Sequence, residues 1–287
     1  MSKLSEPLKK LINASQFRPN TTPAPQHIVT VYEKIAKDAT SRHVGLPAWL
    51  SASTAVTMTL NSPESLLKLY GLVNSDVVDK TNNHSVFTAE LMREVGLKCI
   101  GFNGVPRTIN CLNAFRDGLP STVQEALKKR KPRRNLTSQN TAEALKRGNW
   151  LWNSIYHPFT DKLTAKLASS HPDLPVHIIE SEYGSLFSDP AEADKDPAKI
   201  GRVLTSVIAV ACLRAQTGVG PQVLSHVFGL RKAFEDGSAD EEEPVEGGRW
   251  LASDEGSTWL LESADRIVEA ISGKDATNFA PGYKAKL

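Results

Sequence analysis

The stretch Gly201–Gly237, GRVLTSVIAVACLRAQTGVGPQVLSHVFGLRKAFEDG, decides the fold. Val203, Leu204, Val207, Ile208, Val210, Ala211 and Leu213 recur too densely for a one-sided amphipathic helix, and Thr205, Ser206 and Cys212 are small enough to bury among them. The pattern predicts a helix buried all round. Its apolar run is about half of the roughly 20 residues that a bilayer crossing requires, so a core helix and no membrane span are expected. Gly218, Gly220 and Pro221 break the run, and a second helix carries Val223, Leu224, Val227, Phe228 and Leu230 at helical spacing. On that second helix His226 lies one turn from Gln222, with Arg231 about a turn further along.

Outward from this pair the chain keeps the same character. Ile28–Ala39 and Leu46–Met58 read as helices, and Ser62-Pro63-Glu64-Ser65 is a capped start that launches Leu66, Leu67 and Leu69 toward a core. Asn74–His84 is a polar loop, after which Ser85 or Thr88 is the expected cap of a helix with Glu90 in its first turn. Ser170–Asp173 is a loop and cap before a helix over His177–Phe187, where Glu180 and Glu182 point apart and make no shared acid/base pair. Trp259, Leu260, Leu261, Ile267, Val268 and Ile271 give a last amphipathic helix. Alternating strand patterns are nearly absent, so the predicted fold is all-α.

The helix pair with its histidine resembles the carboxymuconolactone decarboxylase and alkylhydroperoxidase D superfamily, with His226 in SHVFGL at the matching position. A second stretch, Thr88–Phe115, TAELMREVGLKCIGFNGVPRTINCLNAF, is similar to the family's closing helix pair, with its Gly-x-Pro turn and an asparagine-bearing helix. The resemblance implies an alkylhydroperoxidase D-like helical fold and a fungal-type peroxisomal member. In the peroxidase branch a C-x-x-C pair ends four residues before the histidine and a glutamate lies nineteen before it. Here those positions read Val219, Gln222 and Val207, so the thiol relay that needs an attacking thiolate and a resolving thiol is missing.

Both stretches are helix, glycine break, helix, and they end alike, NAFRDG at Asn113–Gly118 and KAFEDG at Lys232–Gly237. Two related halves are therefore expected, residues 1–135 and 136–287, a fused form of a unit that the resemblance implies assembles as homo-oligomers, with a dimer favoured. Lys128–Arg134, KKRKPRR, reads as a solvated linker between them rather than a nucleic-acid site, because it lacks interleaved aromatics. The acidic Asp240–Glu246, DEEEPVE, reads as a surface loop.

At 287 residues and 40% hydrophobic content the chain can bury a sizeable core, and its net charge of +2 favours neither nucleic acid nor an anionic membrane surface. Cys99, Cys111 and Cys212 have no metal or redox spacing and read as buried structural thiols. Neither terminus carries an apolar secretory segment. The end, Ala285-Lys286-Leu287, is a conservative variant of the Ser-Lys-Leu peroxisomal address, so capture by the import receptor and a peroxisomal matrix location are expected.

The candidate catalytic residue is His226, whose imidazole titrates near neutrality and suits proton transfer. Gln222 and Ser225 are its expected polar neighbours, and Arg231 or Arg214 its anion holder. Trp152 and Tyr156, in GNWLWNSIYH, could line an apolar pocket, although core packing between the halves explains two tryptophans as well. No dinucleotide fingerprint, P-loop, nucleophile elbow or metal-ligand spacing occurs, so neither cofactor nor metal is expected. Three functions stay open: acid/base chemistry on a small organic acid or lactone, a non-catalytic helical binding or assembly protein of the peroxisome, and an alkylhydroperoxide-detoxifying protein. The missing dithiol weighs against the last.

Overall fold

A computed structural model describes residues 3–75, 83–190 and 198–273. Among them every regular element is helical. The principal helices are α1 (Ile28–Ser41), α2 (Leu46–Thr59), α3 (Pro63–Val73), α4 (Asn83–Lys98), α5 (Val105–Gly118) and α6 (Thr141–Tyr156). A π-helix over His177–Phe187 follows, then α7 (Gly201–Gln216), α8 (Gly220–Glu235) and α9 (Asp254–Ser272), with shorter turns between them.

The centre is α2 packed on α7. In α7 only Gly201 and Arg214 escape burial, and in α2 only Leu46 and Pro47. A helix buried on all faces needs small residues where it meets its neighbours, and α2 supplies them in Ala48, Ser51, Ala52, Ser53 and Ala55. The Thr57 and Thr59 hydroxyls donate back to the Ser53 and Ala55 carbonyls at 2.7 and 2.8 Å, so these polar groups enter the core satisfied. Helices α8 and α9 cover α7, α3 and α4 cover α2, and α5 lies on α3. Gly218, at φ +73°, turns the chain between α7 and α8, where the sequence places its break.

Helix α6 and the π-helix form a second, smaller core of Leu151, Trp152, Ile155, Tyr183 and Phe187. Phe102, stacked on Phe187 with ring centres 5.0 Å apart, joins it to the main one. The close approach of α6 to the π-helix rests on two glycines, since a Cβ on Gly148 would lie 2.5 Å from both N and Cα of Gly184.

Several local expectations are refined. Helix α4 starts at Asn83, upstream of Ser85 and Thr88. The helix predicted over His177–Phe187 is wound as a π-helix, which brings residues five apart onto one face and sets His177 Nε2 3.6 Å from Glu182 Oε1. The basic stretch is not a free linker, because Glu90 and Glu94 lie under it: Arg130 pairs with Glu90, and Arg133 and Arg134 pair with Glu94 at 3.0 and 2.9 Å. Within the acidic stretch, Glu242 accepts the Arg202 backbone N–H at 2.6 Å while Asp189 accepts that of Gly201 at 2.7 Å. Two carboxylates thus satisfy the start of the most buried helix, where N–H groups lack intrahelical acceptors. Fully buried Lys98, 3.1 Å from Asp189, neutralises one of them. The Ala285-Lys286-Leu287 tail lies outside the described residues. Among those described, no helix is long and apolar enough to cross a membrane, and no group of three His, Cys, Asp or Glu side chains could hold a metal ion.

Candidate functional site

His226 is carried on α8 at its contact with α6. Gly229, one turn on, allows this: a Cβ there would fall 2.8 Å from Ile155 Cγ2, so its absence lets the two helices close up. The imidazole is 5% exposed and meets the smaller core, edge-on to Tyr156 at 5.9 Å and to Phe102 at 6.1 Å between ring centres.

A directed hydrogen-bond chain runs through this contact. Tyr183 Oη donates to Tyr156 Oη at 3.1 Å, which leaves the Tyr156 hydroxyl hydrogen for His226 Nε2, 3.2 Å away. With Nε2 accepting, the imidazole proton of the neutral ring sits on Nδ1. That nitrogen is buried and has no hydrogen-bond partner. Trp152 holds the tyrosines in place, its ring 4.3 Å from that of Tyr156 and 5.0 Å from that of Tyr183, nearly perpendicular to the latter.

Arg202 supplies the charge. Fully buried in the first turn of α7, it donates to the Ser154 hydroxyl (2.8 Å) and carbonyl (3.0 Å), the Ser206 hydroxyl (2.6 Å) and the Gly229 carbonyl (2.6 Å). All four acceptors are neutral, while Asp236 and Glu242 act on the guanidinium charge through space. Burial lowers the Arg202 pKa to about 10, still far above neutrality. Burial also pushes the His226 pKa down to about 4, with the Arg202 charge acting in the same direction, so the ring is neutral at physiological pH. Burial raises both tyrosines, and Arg202 opposes that rise by favouring their phenolates.

Arg202 also borders a cavity of about 160 Å³, lined in addition by Arg147, Lys199, Leu151 and Phe187 and by the acidic residues Asp189 and Glu242. His226 is not among its lining residues. Leu151 and Phe187 form the shared wall, facing the cavity while belonging to the smaller core around Tyr183.

Of the residues singled out in the sequence, the structure brings together His226, Tyr156 and Trp152. Gln222 is exposed, and the Ser225 hydroxyl donates to the Pro221 carbonyl of its own helix at 3.0 Å. Arg214 and Arg231 are engaged elsewhere. Arg214 donates to both Asp265 oxygens at 2.7 and 2.6 Å, and Arg231 bonds Asp254 and the Ala252 carbonyl. Tyr183 and Arg202 were not singled out as site residues. A charged residue at the head of the uncharged run Val203–Leu213 is the one signal available for Arg202, whereas Tyr183 carries none, because its partner is 27 positions away on another helix.

Among curated proteins the chain is similar to Peroxisomal protein 2 of Saccharomyces cerevisiae, 29% identical over 202 residues that cover 63% of this chain. The match spans 65% of that protein, slightly less than two thirds of its length. No family model matches the chain. No solved structure matches it either.

Proposed function

We propose that this chain is a peroxisomal matrix protein of the carboxymuconolactone decarboxylase and alkylhydroperoxidase D-like type, working without thiols, in which His226 transfers protons to and from a small organic acid or lactone. The observation that carries this reading is the chain Tyr183–Tyr156–His226 ending in an unpartnered Nδ1. An N–H buried without an acceptor costs of order 1–3 kcal/mol, and a substrate carbonyl or carboxylate oxygen would satisfy it. Nδ1–H gives its proton to the substrate while Nε2 takes one from Tyr156, and Tyr183 steadies the resulting phenolate under the field of Arg202. The reverse sequence removes a proton. Because the imidazole only exchanges one tautomer for the other, its low pKa does not stop the relay.

The neighbouring cavity carries both signs, Arg147, Lys199 and Arg202 with Asp189 and Glu242, and His226 is not on its wall, so it bears on this reading only through the Arg202 charge that acts on both. Peroxisomal residence is supported by the named relative and by the Ala285-Lys286-Leu287 end, through which the import receptor would take the protein. Two fused halves, 1–135 and 136–287, and a homodimer belong to the same proposal. Leu224 and Phe228, one turn apart on α8 and 53% and 58% exposed, support a further copy as the partner.

A second reading, a non-catalytic helical binding or assembly protein, is favoured by one observation, the 5% exposure of His226. Thermal shift with a panel of small carboxylic acids and carboxy-lactones separates the two. The enzyme reading expects a saturable rise in Tm that His226→Gln weakens. A Tm that ignores every ligand but rises with protein concentration, with a dimer seen by light scattering, supports assembly alone.

A further inference from the structure

Cys99 closes α4 and Cys212 lies in the middle of α7, 113 positions away, yet their sulfur atoms are 3.5 Å apart and both side chains are fully buried. Both are free thiols. Cys212 directs its S–H toward the Ala55 carbonyl at 3.8 Å, and the Asn103 side-chain amide approaches the same sulfur at 3.9 Å. Cys111 takes no part in this contact and faces the Met58 carbonyl and Asn61 Oδ1 instead. A disulfide bond is about 2.05 Å long, so the two sulfurs need to close by roughly 1.5 Å, within reach of side-chain rotation and a small helix shift.

We propose that Cys99 and Cys212 are an oxidisable pair that a hydroperoxide closes into an intrachain disulfide, tying the end of α4 to α7. One thiolate attacks the peroxide O–O bond, giving a sulfenic acid and releasing the alcohol, or water from hydrogen peroxide. The second sulfur then attacks the sulfenic sulfur, the S–S bond forms, the S–O bond breaks, and the oxygen leaves as water with the second thiol's proton. Two thiols lose two electrons and one hydroperoxide gains them. The hydrogen bond with Cys212, together with burial, holds the Cys99 thiol well above its usual pKa, so thiolate is scarce and the reaction is slow. Both sulfurs are fully buried, so a dithiol, bulkier than hydrogen peroxide, reaches the closed bond more slowly than the peroxide reaches the thiols, and the modification is stoichiometric rather than catalytic.

The link fixes a wall of the candidate site. Cys99 leads into the turn carrying Phe102, whose carbonyl accepts from Gln216 of α7 and whose ring packs on His226. The pairing itself rests on the sulfur contact and holds whatever reaction His226 performs.

The full chain, folded and at neutral pH, is treated with hydrogen peroxide, then denatured and alkylated for intact and peptide mass spectrometry. The expected product is about 2 Da lighter before alkylation. It accepts one alkyl group instead of three, yields a peptide joining Cys99 to Cys212, and melts several degrees higher because a 113-residue separation has been closed. Cys111→Ala still forms the joined peptide and accepts no alkyl group instead of two, while Cys99→Ala and Cys212→Ala form no such link. Wild-type protein that stays fully alkylatable, that gains only oxygen, or whose disulfide involves Cys111 overturns the proposal, and none of these readings depends on a variant folding.

Discussion

Tyr156 Oη lies 3.2 Å from His226 Nε2 although 70 residues separate the two side chains. The contact exists because Gly229 lets α8 settle on α6 and because Trp152 fixes the tyrosine ring against it. It makes the buried imidazole an acceptor on one side and leaves a donor on the other, the asymmetry that a proton relay requires.

Burial of a neutral histidine makes stability depend on pH. Unfolded, this histidine takes its proton near 6.5, whereas folded His226 does so near 4, so between these values the unfolded chain binds more protons. Stability is therefore full above 6.5 and falls as the pH drops toward 4, by roughly 3 kcal/mol for this group. Urea unfolding at several pH values should give a clearly shallower acid loss for His226→Gln than for wild type. Equal slopes would mean that the ring is solvated.

Much of this was legible in the sequence, and the residues explain what was not. Val203–Leu213 declared a buried helix because its apolar positions leave no polar face, and Gly218 with Pro221 declared its end. His226 stood out because it holds the position of the superfamily's histidine and an imidazole titrates near neutrality. Arg214 and Arg231 shared the helix pair with it, but a helix pattern does not say which face a long side chain follows, and Asp265 and Asp254 claimed them. The Cys99–Cys212 contact was invisible for the same reason, since it depends on how α4 crosses α7.

The two glycines at the α6–π-helix contact can be tested directly. Gly148→Ala places a methyl against the rigid backbone of Gly184, so a loss of about 1–3 kcal/mol is expected from chemical denaturation, along with a changed tyrosine environment. Gly71→Ala is the control. Its Cβ meets nothing within 4 Å, and a helix-interior alanine should be neutral or stabilising by up to about 1 kcal/mol.

Import is expected to depend on the last three residues. A fluorescently tagged chain should form peroxisomal puncta, and removing Ala285-Lys286-Leu287 should leave it diffuse in the cytosol. Unchanged puncta after deletion would place the address elsewhere.

Thiol peroxidase turnover is expected to be absent, because Val219 and Gln222 stand where the resemblance calls for two cysteines. Given an alkyl hydroperoxide and a dithiol, the protein should consume no more than about one equivalent per chain, the amount the buried pair can reduce. Sustained turnover abolished by Cys212→Ser would show that the pair is recycled.

Proton transfer by His226 on a small acid or lactone is read by steady-state turnover. Wild type, His226→Gln and Tyr156→Phe would be assayed against a panel of small carboxylic acids and carboxy-lactones, with Tm recorded for each. Wild-type turnover is expected to fall by about 10²- to 10⁴-fold in kcat for His226→Gln, and by less for Tyr156→Phe, in folded proteins. A folded His226→Gln with undiminished kcat, or a wild type that converts nothing on the panel, would contradict it.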